Sequence, residues 1–294
     1  MWPLHSWSPI GHAAAPSAVS MLHAGVLMKL GSYAIIRLAV GLLPDGARMW
    51  LPWLAVLCVM NILYGGFVAM AQRDLKLIIG YSSSSHMGYV LLGVACLTPL
   101  ALNGAVLLMF AHGIMTALAF ALVGHVYDET HTRDLPDLGG LAHQLPFIAA
   151  CGVIAAMASS GLPGFANFVA ELLIFLGGWD AYPVQVICGV FGVVVTAIYM
   201  LRLIRGTFFG PSKPALAHAH DATSPFARLP YLVLIITLLA VGCWPRPLLR
   251  LIDTSSRALI ERTATPYQPR QVARAAFGSL AHPVTPGQRP GASQ

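Results

Sequence analysis

The chain has 294 residues, 57% of them apolar and 10% charged, with a mean hydropathy of +0.71. Soluble domains average about 45–50% apolar and about 25% charged, so the chain reads as an integral membrane protein; a soluble enzyme, a disulfide-rich secreted domain and a disordered polypeptide are excluded. The net charge of +6 belongs to the C-terminal end, since seven of the 17 Lys and Arg follow residue 245. No basic stripe interleaved with aromatics appears elsewhere, and nucleic acid is not an expected partner.

Residues 1–16 are expected to form a loop leading into the membrane from the cytoplasmic side. They lack the basic and apolar regions of a signal peptide, so insertion is expected to rest on the helices themselves. A membrane-crossing helix needs about 20 apolar residues. Apolar runs separated by breakers predict seven such segments, at about 17–43, 52–70, 77–97, 102–126, 147–177, 184–208 and 229–249. The runs are continuous, whereas barrel strands alternate every second residue. The predicted fold class is therefore all-α: a polytopic membrane helix bundle over 17–250 with about seven transmembrane helices, one of them broken near Pro163. Residues 251–294 are expected to form a tail, disordered from about 267, where Pro, Gly, Ala and Arg replace apolar periodicity. The five cysteines lie inside apolar runs without Cys-x-x-Cys spacing and read as packing residues.

Orientation follows from counting basic residues in alternate loops. Arg73, Lys76, Arg133, Arg202, Arg205, Lys213 and Arg228 fall on the side of the N-terminus; Arg37 and Arg48 fall opposite. The count places the N-terminal side in the cytoplasm, while Arg246, Arg250, Arg257 and Arg262 after the last segment argue the other way.

Two ionisable residues sit deep inside apolar runs, Lys29 and Glu171. A charge at the bilayer centre costs about 2.5–3.5 kcal/mol on insertion scales, so each is expected to face the bundle interior. They could form a static ion pair, or they could titrate, because removal from water disfavours the charged form of either group. His23, His86 after the run Ser82-Ser83-Ser84-Ser85, and His112 with Thr116 one turn on supply the exchangeable groups and hydroxyls of a proton wire. Eight residues before Glu171, Gly161-Leu162-Pro163-Gly164 interrupts the segment, as in helices whose freed backbone lines a polar pathway. His12, His125, His131, His143, His218 and His220 are assigned to ends or loops, and no metal site is expected.

Pro3-Leu4-His5-Ser6-Trp7, Ala15-Pro16-Ser17-Ala18-Val19-Ser20, Ala24-Gly25-Val26-Leu27-Met28-Lys29-Leu30-Gly31-Ser32-Tyr33 and Asp74-Leu75-Lys76 through Ser84-Ser85-His86-Met87-Gly88 resemble the antiporter-like subunits of respiratory complex I. Ala111-His112-Gly113, His131-Thr132-Arg133-Asp134 and Leu162-Pro163-Gly164-Phe165-Ala166-Asn167-Phe168-Val169-Ala170-Glu171 continue the match, over residues 3 to about 250. The His-Thr-Arg-Asp element and a glutamate on the broken helix favour the M-type subunit of bacterial NADH:quinone oxidoreductase, related to mitochondrial NADH dehydrogenase subunit 4. Mrp-type cation/proton antiporters and membrane-bound hydrogenases are the near alternatives, and a truncated, non-conducting structural component remains another.

The resemblance implies a proton-translocating, multi-pass subunit of the bacterial inner membrane, driven by electron transfer elsewhere. It implies no cofactor in this chain, with NADH, flavin, iron–sulfur clusters and quinone held by other parts of the complex. Lys29, His86, His112 and Glu171 match the family's relay, read in that order, with His23, Ser84, Ser85, Thr116, Pro163 and Gly164 in support. Expected partners are lipid, other antiporter-like membrane subunits, and a first half of the fold borne on the same or a separate polypeptide. Ser8-Pro9-Ile10-Gly11-His12 stands where the family usually carries Leu-Pro-Asp-Ala-His.

Overall fold

The computed structural model describes residues 1–264; the tail expected to be disordered from about 267 lies outside the described residues. Eleven α-helices fill the described residues, with two π-turns in the first membrane span and no strand. A short helix, α1 (Trp7–Ala14), leads into that span, Ser17–Val40, built from α2 (Ser17–Leu22), a π-turn (His23–Leu27), α3 (Met28–Ala34) and a second π-turn (Ile35–Val40). Then come α4 (Pro44–Ala71), α5 (Leu75–Ala95), α6 (Pro99–Thr130), the pair α7 (Pro146–Ser159) and α8 (Ala166–Gly178), α9 (Pro183–Phe208), α10 (Pro225–Cys243) and α11 (Arg246–Ala264). The seven predicted segments correspond to these elements when α7 and α8 are taken as one interrupted pass.

Local chemistry explains most of the boundaries. The Asp74 carboxylate accepts from the backbone N–H groups of Lys76 and Leu77 and starts α5, and the Thr98 hydroxyl does the same for α6. Proline opens α4, α6, α7, α9 and α10, where its missing N–H costs nothing and its fixed φ suits a helix. Several predicted boundaries move: α4 begins at Pro44 rather than about 52, and α10 ends at Cys243 rather than about 249. Residues 7–14, expected within a loop, are helical and bury Ser8, Pro9 and His12. Residues 251–264, expected as tail, are helical because Leu248, Leu249, Ile252, Leu259 and Ile260 return to the bundle at helical spacing.

α5 stands at the centre, with every residue buried except Leu77 and Tyr81, which are partly exposed. Its polar run, Ser82 to His86, therefore faces neighbouring helices rather than lipid. Two apolar cores pack the bundle, one toward each end of its helices. The first holds Leu75, Ile78 and Ile79 of α5 and Ala111 to Val126 of α6. The second holds Met87 to Ala95 of α5, Leu102 to Leu108 of α6, and Ala170 and Ile174 of α8. Between them lies a layer where buried polar residues collect, among them Ser82 to His86, His112, Asn167 and Glu171.

Candidate functional site

Lys29 enters this layer from α3, immediately after the first π-turn. Its ammonium donates to the carbonyl oxygen of Ala24 within that turn and lies 2.9 Å from His112 Nδ1 on α6. The contact depends on a close crossing of the first span over α6. A methyl group placed on Gly113 would sit 2.7 Å from the carbonyl oxygen of Gly25, so only glycine lets the backbones approach this far.

From His112 the chain continues to His86 on α5, with ring centroids 4.9 Å apart and planes inclined at 38°. His86 Nε2 in turn lies 3.8 Å from Glu171 Oε1 on α8. Both ring nitrogens of His86 face acceptors: Nδ1 is 2.8 Å from the Ser82 carbonyl oxygen and Nε2 is 3.2 Å from that of Ser159. A carbonyl oxygen only accepts, so each of these positions favours an N–H on the nitrogen facing it, and the ring packs beside His112 without a hydrogen bond between the two. Four ionisable groups from four helices thus lie in one buried row, with Lys29 and His112 within hydrogen-bond reach and the other two links made by ring packing and by a 3.8 Å approach of opposite charges.

The spatial order is Lys29, His112, His86, Glu171, which corrects the order expected from the sequence, with His86 first. The reason lies in individual contacts: Lys29 meets His112 where the first span crosses α6, and it is the His86 ring on α5 that reaches Ser159 and Glu171. The glutamate end is shaped by the interruption at 160–165. Gly161 adopts φ +62° and Gly164 φ +100°, both in the left-handed region that favours glycine. A methyl on Gly161 would come within 2.5 Å of Glu171 Oε2, so the carboxylate lies against backbone at the break. The short connection also leaves the Ser159 carbonyl at the end of α7 aimed at His86.

The supporting residues divide. His23 and Ser84 line a cleft of about 530 Å³ beside the lysine end, and Pro163 and Gly164 lie in the break. Ser85 does not join the path: its hydroxyl donates to the Ile62 carbonyl on α4 at 2.8 Å. Thr116 does not join it either, because its hydroxyl bonds back to the carbonyls of His112 and Gly113 on its own helix.

Sequence reasoning missed His12. Assigned to a loop, it is fully buried, with its ring 4.2 Å from that of His23 and 5.1 Å from that of Phe120. Its Nε2 is 3.3 Å from Met28 Sδ, while Nδ1 has no protein partner. Lys76 donates to the Ala15 carbonyl at 2.7 Å and Arg133 to the Ala13 carbonyl at 2.8 Å, which pins the end of α1 above this histidine. The signal was available: Ser8, Pro9 and His12 share one helix face at i, i+1, i+4 spacing. Asn167 was also passed over. It is buried one turn before Glu171, and neither of its amide atoms has a protein partner.

Comparison with known proteins places the chain in a family. The chain is 40% identical over 269 residues to "NAD(P)H-quinone oxidoreductase chain 4 2" of Synechococcus sp. (strain JA-3-3Ab), covering 88% of this chain and 50% of that protein. It is 41% identical over 268 residues to "NAD(P)H-quinone oxidoreductase chain 4" of Acaryochloris marina, with the same coverage. The chain spans about half the length of these curated relatives. Among solved structures it superposes on a chain of respiratory complex I from Thermus thermophilus with bound NADH, with TM-score 0.84 and 31% identity over 90% of this chain and 56% of that one. It also superposes on a chain of the Mrp complex from Dietzia sp. DQ12-45-1b, with TM-score 0.82 and 25% identity over 89% of this chain and 57% of that one. Residues 1–198 match the family described as "NADH:quinone oxidoreductase/Mrp antiporter, TM", and the chain belongs to that family of multi-pass, all-α membrane proteins.

Proposed function

We propose that this chain is the proton-conducting second half of an antiporter-like subunit in an NADH:quinone oxidoreductase of a bacterial inner membrane. The observation that carries the reading is the buried row Lys29–His112–His86–Glu171, because a static ion pair would not need two histidines between its charges. In this mechanism Lys29 hands a proton to His112 Nδ1. His112 releases it from Nε2, which has no protein partner, through water to His86, and His86 Nε2 delivers it to the Glu171 carboxylate, from which it leaves on the non-cytoplasmic side. Alternation of the path follows if a change elsewhere in the complex shifts the relative proton affinities of its two ends. NADH, flavin, iron–sulfur clusters and quinone are assigned to other subunits, and electron transfer there supplies the driving force.

Sequence identity favours the quinone oxidoreductase over the Mrp-type alternative, since the named relatives at 40–41% identity are oxidoreductase chains and the Mrp chain stands at 25%. The test is Glu171→Gln in the assembled complex reconstituted in vesicles, with proton uptake by a pH-sensitive dye and quinone reduction followed together. Pumping should disappear while quinone reduction remains. Pumping at the parental proton-to-electron ratio would remove Glu171 from the path.

A further inference from the structure

The outward face of α9 carries Val184, Ile187, Phe191, Val194, Ile198 and Leu201, all exposed and spaced three or four residues apart. At 1.5 Å per residue this stripe is about 26 Å long, close to the roughly 30 Å of a hydrocarbon core. Arg205 follows one turn beyond Leu201 on the same face, at the level where headgroups begin.

There the end of α9 meets two loops and forms a cleft of about 670 Å³ whose lining includes Ile198, Leu201, Arg202, Arg205, Phe209 and Lys213. The cleft is built. Gly140 adopts φ +64°, and a methyl there would sit 2.6 Å from the Ser212 Cα. The two loops are tied by Ala142 N–H to Phe208 carbonyl at 2.9 Å and Gly140 N–H to Phe209 carbonyl at 3.3 Å. Arg202 donates to the Met70 carbonyl and Lys213 to the Pro136 carbonyl, so both cations are held in place by neutral groups. Among the described residues none of the three basic side chains makes an ion pair. Asp137, next to Pro136, is not part of the lining.

We infer that this cleft binds an anionic phospholipid, its phosphate between Arg202, Arg205 and Lys213 and an acyl chain along the Val194–Ile198–Leu201 stripe. Three unneutralised cations select the headgroup charge, and the continuous apolar stripe selects a lipid over a free anion. The inference is independent of the proton path.

Native mass spectrometry of the full chain, purified in mild detergent and exchanged with phosphatidylglycerol or phosphatidylcholine of the same acyl length, tests it. Phosphatidylglycerol should be retained preferentially, and Arg205→Gln, an exposed position that leaves packing intact, should lower that preference about fivefold. Arg48→Gln, on the opposite loop side, should not change it. Equal retention of the two lipids, or an unchanged preference in Arg205→Gln, overturns the proposal. Displacement by millimolar inorganic phosphate also overturns it, since the site would then be an anion site indifferent to acyl chains.

Discussion

Lys29 and Glu171 both sit beside an irregularity in a membrane helix, yet the two irregularities have different origins. At the glutamate end the helix is fully interrupted between Ser159 and Ala166, and the cause is local: Gly161, Pro163 and Gly164 are written into the segment. At the lysine end the helix continues through a π-turn, His23–Leu27, with no proline in it. A π-turn widens the helix without breaking it and commonly marks functional sites. Here it accompanies the crossing of Gly25 over Gly113, a contact between residues 88 positions apart. One end of the path is thus fixed by its own sequence and the other by a neighbouring helix.

The strongest way to break the comparison is Gly113→Ala. Its methyl cannot fit 2.7 Å from the Gly25 oxygen, so α6 and the first span must separate, at an overpacking cost of about 1–3 kcal/mol. The Lys29–His112 contact should open; proton pumping and detergent-state Tm should both fall. Next is Gly161→Ala at the other end, where a left-handed φ costs a non-glycine residue about 1–2 kcal/mol and the new methyl presses on Glu171 Oε2. Pumping should fall, and quinone reduction by the assembled complex should persist.

A smaller effect is expected at α11, outside both irregularities. Hydrogen bonds from Arg257 and Asn103 hold the Asp253 carboxyl below its usual value. A lowered carboxyl contributes at pH above its unfolded value, about 3.9, and the contribution is lost as pH falls through the folded one. Hydrogen-exchange protection factors over 246–264 should therefore decline below about pH 4 in the parent, while Asp253→Asn should show reduced protection already at neutral pH. The smallest effect sharpens the comparison: Pro163→Ala should cost only about 0.4–1 kcal/mol, through the unfolded chain. The positive φ values of Gly161 and Gly164 keep the interruption open without the proline. A pumping loss as large as that of Gly161→Ala would show that proline sets the break.

The same contrast explains what was legible in the sequence. Lys29, Glu171, His86 and His112 announced themselves because costly polar groups interrupt apolar runs, and the break near Pro163 because its residues are local breakers. The order of the histidines was hidden, since it depends on which helix faces which. His12 was hidden because α1 is short and its burial comes from packing under His23 and Phe120. Ser85 and Thr116 looked like wire components by type, but a hydroxyl in a helix finds a backbone carbonyl four residues back or on the next helix more readily than a distant ring. The helix over 251–264 was hidden because only apolar runs of spanning length were sought, and Leu248, Ile252 and Leu259 recur at helical spacing among polar residues.

The polar layer between the two apolar cores has an electrical consequence. Lys29, His112 and His86 lie near the middle of their helices, so transfers among them run parallel to the membrane plane more than through its thickness. An elementary charge crossing the full membrane works against about 2.3 kcal/mol per 100 mV, and little of that falls on these internal steps. In the proposed mechanism the potential would act on the links between the layer and the two surfaces, leaving transfer within the layer nearly insensitive to voltage.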